Sequence, residues 1–180
     1  MTRTCCAGHH SSRRDVTLPP TVARQRQLIE RFRTEGRRLT PQRLAVFQVL
    51  ASSADHPSVE QIHHRVKVQL PTTSLATVYD IVQLLEEMGE VLPLSFVDGA
   101  NHYDGRRPYP HPHLVCLDCG AISDLEVPAI DHLPQDIEAQ TGYRIIRHRV
   151  DFFGTCPRCQ DAMSQQDHAH PNQPTTDQLV

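Results

Sequence analysis

The sequence predicts an α+β protein: an N-terminal winged helix-turn-helix DNA-binding domain, then a C-terminal α/β dimerisation domain with a four-cysteine zinc site. Three features lead there. Three short helical periodicities precede a longer one whose N-terminal half is polar on its unburied side, the pattern of a helix that enters a DNA major groove. Asp98-Gly99 then stands between two strand-like runs as a hairpin turn. Farther on, two CxxC pairs flank a strand-helix-strand segment.

The elements follow in chain order. A first helix is expected over residues 22 to 34, with Leu28, Ile29 and Phe32 as its apolar stripe and Gly36 as its stop. Thr40 and Pro41 have the chemistry of an N-cap and a first helical residue, since the hydroxyl accepts a free backbone N–H and proline has none to leave unpaired. Leu44, Phe47, Val49 and Leu50 give this second helix its apolar face. Ser58 and Gln61 form a capping box that opens a third helix, with Val59, Ile62, Val66 and Leu70 inward and Pro71 as its end. The fourth helix runs from near Ser74 to Gly89, burying Leu75, Val78, Val82, Leu85 and Met88 and turning Ala76, Tyr79, Asp80 and Gln83 outward.

Residues 91 to 97 and 101 to 103 read as the strands of a wing, with Pro93 marking an edge. Three prolines between residues 106 and 112 suggest a hinge, so the domains are set at 21–97 and 113–160 with the hinge over 98–112. The second domain should hold strands near 114–116, 121–125 and 144–153, with an acidic helix over 129–141. A unit this small needs help, which zinc and pairing with a second copy would supply. Residues 1–20 and 161–180, polar and without apolar periodicity, are expected to be disordered tails.

The net charge of -3 conceals a division. Residues 1–95 carry 12 Lys/Arg against 9 Asp/Glu, whereas residues 96–180 carry 6 against 12. A mildly basic front half suits a polyanion, and an acidic, histidine-rich back half suits cations. The opening MTRTCCAGHHSSRRD lacks the apolar stretch of a secretory signal, and no run approaches the length of a membrane span. The expectation is a soluble cytoplasmic protein.

Cys116 with Cys119 (CLDC) and Cys156 with Cys159 (CPRC) make two chelating knuckles. Thiolates at i and i+3 grip one tetrahedral ion from a tight turn, and two such turns close its shell. A closed shell leaves zinc no position for water or substrate, so the site reads as structural. Disulfides or a redox CxxC are the competing reading, against which the cytosolic character of the chain weighs.

A second constellation is spread out: His56, Asp104, His111, His113 and Asp124, its central part reading YDGRRPYPHPHLVC. An HxH pair in extended chain projects both imidazoles to one face, and carboxylates harden the set toward ferrous iron or manganese rather than zinc. On spacing alone His56, beside Pro57, reads more simply as an ordinary loop residue.

LTPQRLAVFQVL, HPSVEQIH, SLATVYDIVQLLEEMGEV, HPHLVCLDCGAISDLEVP and the late CxxC, in that order and spacing, resemble the ferric-uptake-regulator family from about residue 22 to residue 160. The resemblance implies a metal-dependent repressor that binds palindromic double-stranded DNA as a homodimer. It also implies a regulatory metal bridging the two domains: His56 from the DNA-binding side, Asp104 from the hinge region, and His111, His113 and Asp124 from the dimerisation side. Aspartates at 104 and 124, where the iron-uptake type usually has glutamates, place the chain nearer the peroxide-sensing branch. In that branch bound ferrous iron reacts with hydrogen peroxide and a ligating histidine is oxidised, corresponding to His56 and His111 here. An iron-uptake or zinc-uptake regulator is the alternative.

Tyr79 matches the family tyrosine that packs on base edges, while Ser74 and Thr77 are placed to bond phosphates. Asp80 departs from the arginine or asparagine of many relatives and can only accept a bond, for example from cytosine N4. Arg37, Arg38 and Arg43 are candidate contacts to the DNA backbone, or else a solvated face. A third metal site near Asp131 and His148 is expected to be absent or weak, because Pro110 and Pro112 occupy two of its ligand positions. Cys5, Cys6, His9 and His10, His63 with His64, and His168 with His170 are read as adventitious. A zinc-dependent hydrolase would need an HExxH helix or a nucleophile elbow, and the chain has neither; a zinc-stapled adaptor remains the bland competitor.

Overall fold

The computed structural model describes residues 18–95 and 101–167. Its first four elements are helices: α1 (Pro20–Thr34), α2 (Pro41–Ser52), α3 (Val59–Gln69) and α4 (Leu75–Glu87). Local chemistry sets their starts. The Thr40 hydroxyl accepts from the Arg43 N–H, Ser58 and Gln61 close a full capping box, and Ser74 accepts from the Thr77 N–H. Their apolar faces meet in one core of Leu28, Phe32, Val46, Phe47, Leu50, Ile62, Val66, Val78, Val82 and Leu85, with the Phe32 and Phe47 rings edge-on at 4.7 Å.

Along α4 Leu75, expected inward, is exposed, and Ile81, which the expected stripe left out, is buried. Leu75 is 37% exposed and Ile81 only 5%, because the first turn projects past the core while the middle of the helix lies against it.

The chain then forms a hairpin of β1 (Leu92–Ser95) and β2 (Asn101–Asp104), paired antiparallel from Leu92↔Asp104 to Ser95↔Asn101. The Asp98-Gly99 turn falls outside the described residues. Because β2 runs to Asp104, the hairpin reaches into the stretch assigned to the hinge. Arg24 of α1 secures that end: it donates to the Gly105 carbonyl at 2.8 Å and the Glu90 carbonyl at 2.7 Å, and pairs with the Glu90 carboxylate at 3.0 Å.

Gly105 is packed on α2 so closely that an added Cβ would lie 2.6 Å from Leu50 Cβ, a distance that real atoms do not adopt. Gly105→Ala is therefore expected to destabilise the protein by about 1–3 kcal/mol and to displace Asp104. A thermal unfolding midpoint equal to wild type would show that α2 yields instead.

A three-stranded sheet follows, ordered β4-β3-β5, from β3 (His113–Cys116), β4 (Ile122–Asp124) and β5 (Asp151–Gly154). β3 pairs antiparallel with β4 and parallel with β5. The helix expected over 129–141 is two pieces, α5 (Pro128–Asp131) and α6 (Leu133–Thr141), broken where Pro134 must sit in the first turn of a new helix. The strand expected over 144–153 narrows to Asp151–Gly154, since β3 offers only four residues to pair with.

A last helix, α7 (Pro157–Asp167), carries the chain past the boundary assigned to the C-terminal tail. A run of Gln, Asp, Ala, Met and Ser without glycine tolerates helix once Pro157 has started it. No helix among the described residues is long and apolar enough to cross a membrane.

The two halves differ in how much they bury. Beyond Asp104 the described buried apolar residues are Val115, Cys116 and Ile122, and α6 buries none. Tyr143, Ile146 and Phe153 lie open at 75%, 82% and 49% exposure.

Candidate metal centre

The four cysteines converge as their spacing suggests. Cys116 ends β3, and the chain turns back through Gly120, whose φ of +69° only glycine adopts cheaply, so that the Cys116 N–H reaches the Ala121 carbonyl at 2.9 Å. Cys156 and Cys159 sit on either side of the start of α7, and the Cys159 N–H bonds the Cys156 carbonyl at 3.0 Å. All four sulfurs lie within 4.8 Å of one another.

Cys116 Sγ to Cys159 Sγ and Cys119 Sγ to Cys156 Sγ are each 3.9 Å. Bonded sulfurs would be about 2.05 Å apart, whereas sulfurs about 2.3 Å from a shared tetrahedral ion stand about 3.8 Å apart. The spacing fits zinc and not a disulfide. The Cys156 N–H, 3.3 Å from Cys116 Sγ, and the Cys119 N–H bring the Cys116 thiol down to about 6. Backbone N–H of Ala121 and then the Arg158 guanidinium lower Cys119, while Cys159, its thiol hydrogen-bonded to Cys156 and partly desolvated, is pushed up to about 12.

The second constellation also comes together. His56, Asp104, His111, His113 and Asp124 each offer one atom within 4.8 Å of the others. His56 comes from the loop between α2 and α3 at φ +49°, a left-handed conformation that costs a residue with a Cβ about 1 kcal/mol or more. Arg65 of α3 fixes that loop, donating to Ser53 Oγ at 2.8 Å and pairing with Asp55. His102 of β2, 9% exposed, donates from Nδ1 to the His56 carbonyl at 2.8 Å and ties the loop to the hairpin.

The carboxylates are divided by job. Asp104 Oδ1 accepts the N–H groups of Arg106 and Arg107 at 2.7 and 3.0 Å, leaving Oδ2 toward the imidazoles. Oδ2 lies 3.6 Å from His56 Nε2 and 3.4 Å from His111 Nε2; Asp124 Oδ1 lies 2.7 Å and 3.3 Å from the same two nitrogens. His111 donates from Nδ1 to the Tyr109 carbonyl at 2.9 Å, so a neutral His111 has its lone pair on Nε2.

Burial would lower His56, but Asp104 and Asp124 outweigh it and its pKa rises. Burial would likewise raise Asp104, yet His56 and the two N–H groups hold it below the ordinary carboxylate range. Burial, then His111 and His56, push His113 down to about 4, so it is a neutral imidazole at neutral pH.

A cation explains atoms that nothing else satisfies. Asp104 Oδ2, His111 Nε2, Asp124 Oδ1 and His113 Nε2 are buried with no hydrogen-bond partner, a condition that costs about 1–3 kcal/mol per group. Three imidazoles and two carboxylates suit ferrous iron or manganese. Among the described residues these are the two groups that could hold a metal.

The residues assigned to DNA stand on the surface of the helical domain. Tyr79 is 46% exposed, and its hydroxyl donates to Glu60 Oε1 at 2.6 Å. Ser74 spends its hydroxyl on capping α4 and on Thr77 Oγ1 at 2.8 Å. Arg37 pairs with Glu35 at 2.9 Å, Arg38 is exposed, and Arg43 lies over the Phe32 ring at 5.4 Å. Asp80 is exposed on α4, and His148 is exposed just before β5; the side chain of Asp131, and all of Cys5, Cys6, His9, His10, His168 and His170, fall outside what is described. Sequence reasoning missed Arg65, His102 and Asp151, none of which sits in a recognisable spacing.

A family model described as the ferric uptake regulator family matches residues 34–153. The peroxide-responsive repressor PerR of Staphylococcus aureus (strain USA300) is 31% identical over 133 residues, covering 74% of this chain and 89% of that protein. A zinc-bound manganese uptake regulator of known structure is 32% identical at a TM-score of 0.60, covering 72% of this chain and 98% of that one. The Helicobacter pylori ferric uptake regulator Fur, whose structure is described as revealing three functional metal binding sites, is 26% identical at a TM-score of 0.66, covering 78% and 93%. With the helical domain, the four-cysteine cluster and the His/Asp centre in place, these matches show that the chain belongs to the ferric uptake regulator family.

Proposed function

We propose that the chain is a metal-dependent transcription repressor that binds palindromic double-stranded DNA as a cytoplasmic homodimer and responds to peroxide. Cys116, Cys119, Cys156 and Cys159 would hold a structural zinc, and His56, Asp104, His111, His113 and Asp124 a regulatory ferrous or manganese ion. One observation carries this reading. The second set draws His56 from the helical domain and Asp104 from its hairpin, but His113 and Asp124 from the separate three-stranded sheet. Occupancy then sets how the DNA-facing helix α4 stands relative to the sheet, a differential contact of the kind that couples two sites. The open apolar surface of Tyr143, Ile146, Phe152 and Phe153 supports pairing of two such sheets.

Ferrous iron held there would supply the electron that opens the O–O bond of hydrogen peroxide; over the whole reaction one peroxide oxygen would enter an imidazole C–H bond and the other would leave as water, peroxide being the two-electron oxidant. His56 and His111, whose Nε2 atoms share the Asp104 and Asp124 oxygens, are the side chains placed to be oxidised. Loss of either imidazole opens the set and releases the DNA. Protein loaded anaerobically with ferrous iron and given stoichiometric peroxide is expected to gain one oxygen at His56 or His111 by mass spectrometry, and to lose its operator. An unmodified protein that keeps its operator would remove the peroxide reading. The likeness to a manganese uptake regulator favours the alternative in that case, a repressor that answers to metal supply alone.

A further inference from the structure

An imidazole that binds a cation through one ring nitrogen carries its proton on the other, and in a buried place that N–H needs an acceptor. His111 has one in the Tyr109 carbonyl. His113 is 1% exposed, and neither of its nitrogens has a hydrogen-bond partner. What stands beside its Nδ1 is Oδ1 of Asp151, 3.4 Å away, itself buried and unpartnered.

The sheet builds this juxtaposition. His113 of β3 is in register with Asp124 of β4 on one side and Asp151 of β5 on the other, so a carboxylate flanks it on both edges. The two differ in use. Asp124 belongs to the five-residue group, whereas Asp151 lies outside it. Arg149 pairs with Asp151 Oδ2, which leaves Oδ1 for His113. Asp151 is only 10% exposed, so water competes weakly for that oxygen.

We propose that Asp151 is a positioning residue of the metal centre: its Oδ1 accepts the Nδ1 proton of His113 and so fixes the tautomer whose Nε2 is left for the cation. The proposal rests on reading the five residues as a cation site. A carboxylate in this role orients the ring and makes its free nitrogen a stronger donor. Nothing in the local sequence RHRVDFFGTC announces it; strand register alone brings it there.

The test is titration of the full-length, zinc-loaded protein with Co2+, followed by its visible absorption, with zinc content and helical circular dichroism measured alongside. Asp151→Ala is expected to weaken Co2+ binding by about 10–100-fold and to alter the absorption bands, with zinc and helix content kept. Asp151→Asn retains an acceptor oxygen and is expected to lose distinctly less. Should the alanine variant shed zinc, the asparagine variant decides, by an affinity below wild type. Alanine and asparagine variants that both match wild type in affinity and spectrum overturn the proposal. So does an asparagine variant as weak as the alanine one, because a carboxylate bound directly to the cation, unlike one that orients a ring, needs its charge. Wild-type protein that takes up no Co2+ beyond its zinc would instead sink the five-residue site itself.

Discussion

Cys116→Ser is expected to empty the four-cysteine site and to unfold residues 113–160 as a unit while α1 to α4 persist. The helical domain keeps its own core, in which Leu28, Phe32, Phe47, Leu50, Ile62 and Leu85 are fully buried. The segment beyond Asp104 has no comparable reserve, with Val115, Cys116 and Ile122 its described buried apolar residues. Zinc therefore stands where a core would be, and its binding free energy is folding free energy for that segment. Cys116 is the member with most to lose: its sulfur accepts the Cys156 N–H and so joins the end of β3 to the start of α7. Backbone amide exchange read by mass spectrometry is the measurement, with zinc content beside it. Protection that survives throughout residues 113–160 in a zinc-free variant would refute the argument.

Much of the helical domain could be read from sequence because its determinants are local. The Thr40 cap, the Ser58–Gln61 capping box and the apolar spacing of α3 need only neighbours within a turn. The four-cysteine set was legible for the same reason: each knuckle is a local chelate, and two of them have one economical way to close. Tertiary placement was not legible. Leu75 has the right period for burial and is nonetheless exposed, because the core ends before it does.

The His/Asp centre lies between those cases. Its five residues make a histidine/aspartate set that spacing alone signals weakly, with His56 reading as a loop residue; the bridging role comes from the resemblance. What marks His56 in the structure is non-local: a left-handed φ in a loop tied by Arg65 to Asp55, ten residues away from that arginine, and by His102 to the His56 carbonyl across 46. Asp151 was invisible because pairing with a strand 38 positions earlier, His113↔Asp151, has no signature in a single sequence.

The second large effect is expected from replacing His111 and Asp124 together by alanine, which should leave DNA affinity the same with and without added Mn2+. Wild-type protein should differ between the two conditions by about 5–150-fold, the usual range of coupling between two sites. These two residues are chosen because the helical domain and its hairpin supply neither. His111 Nε2 faces Asp104 Oδ2 at 3.4 Å, and Asp124 Oδ1 faces His56 Nε2 at 2.7 Å, so removing both leaves His113 alone on the sheet side, too few donors to clamp a cation against the residues that α4 travels with. The His56–Asp104 pair at 3.6 Å remains, but it joins a loop and a hairpin of the same domain and transmits nothing between domains. Zinc content and dimerisation should be untouched, since neither residue belongs to the four-cysteine group. Fluorescence anisotropy of a labelled palindromic duplex, with chelator and then with Mn2+, reads the outcome. A double variant that still tightens on DNA when Mn2+ is added would show that the coupling runs through some other contact between the two halves.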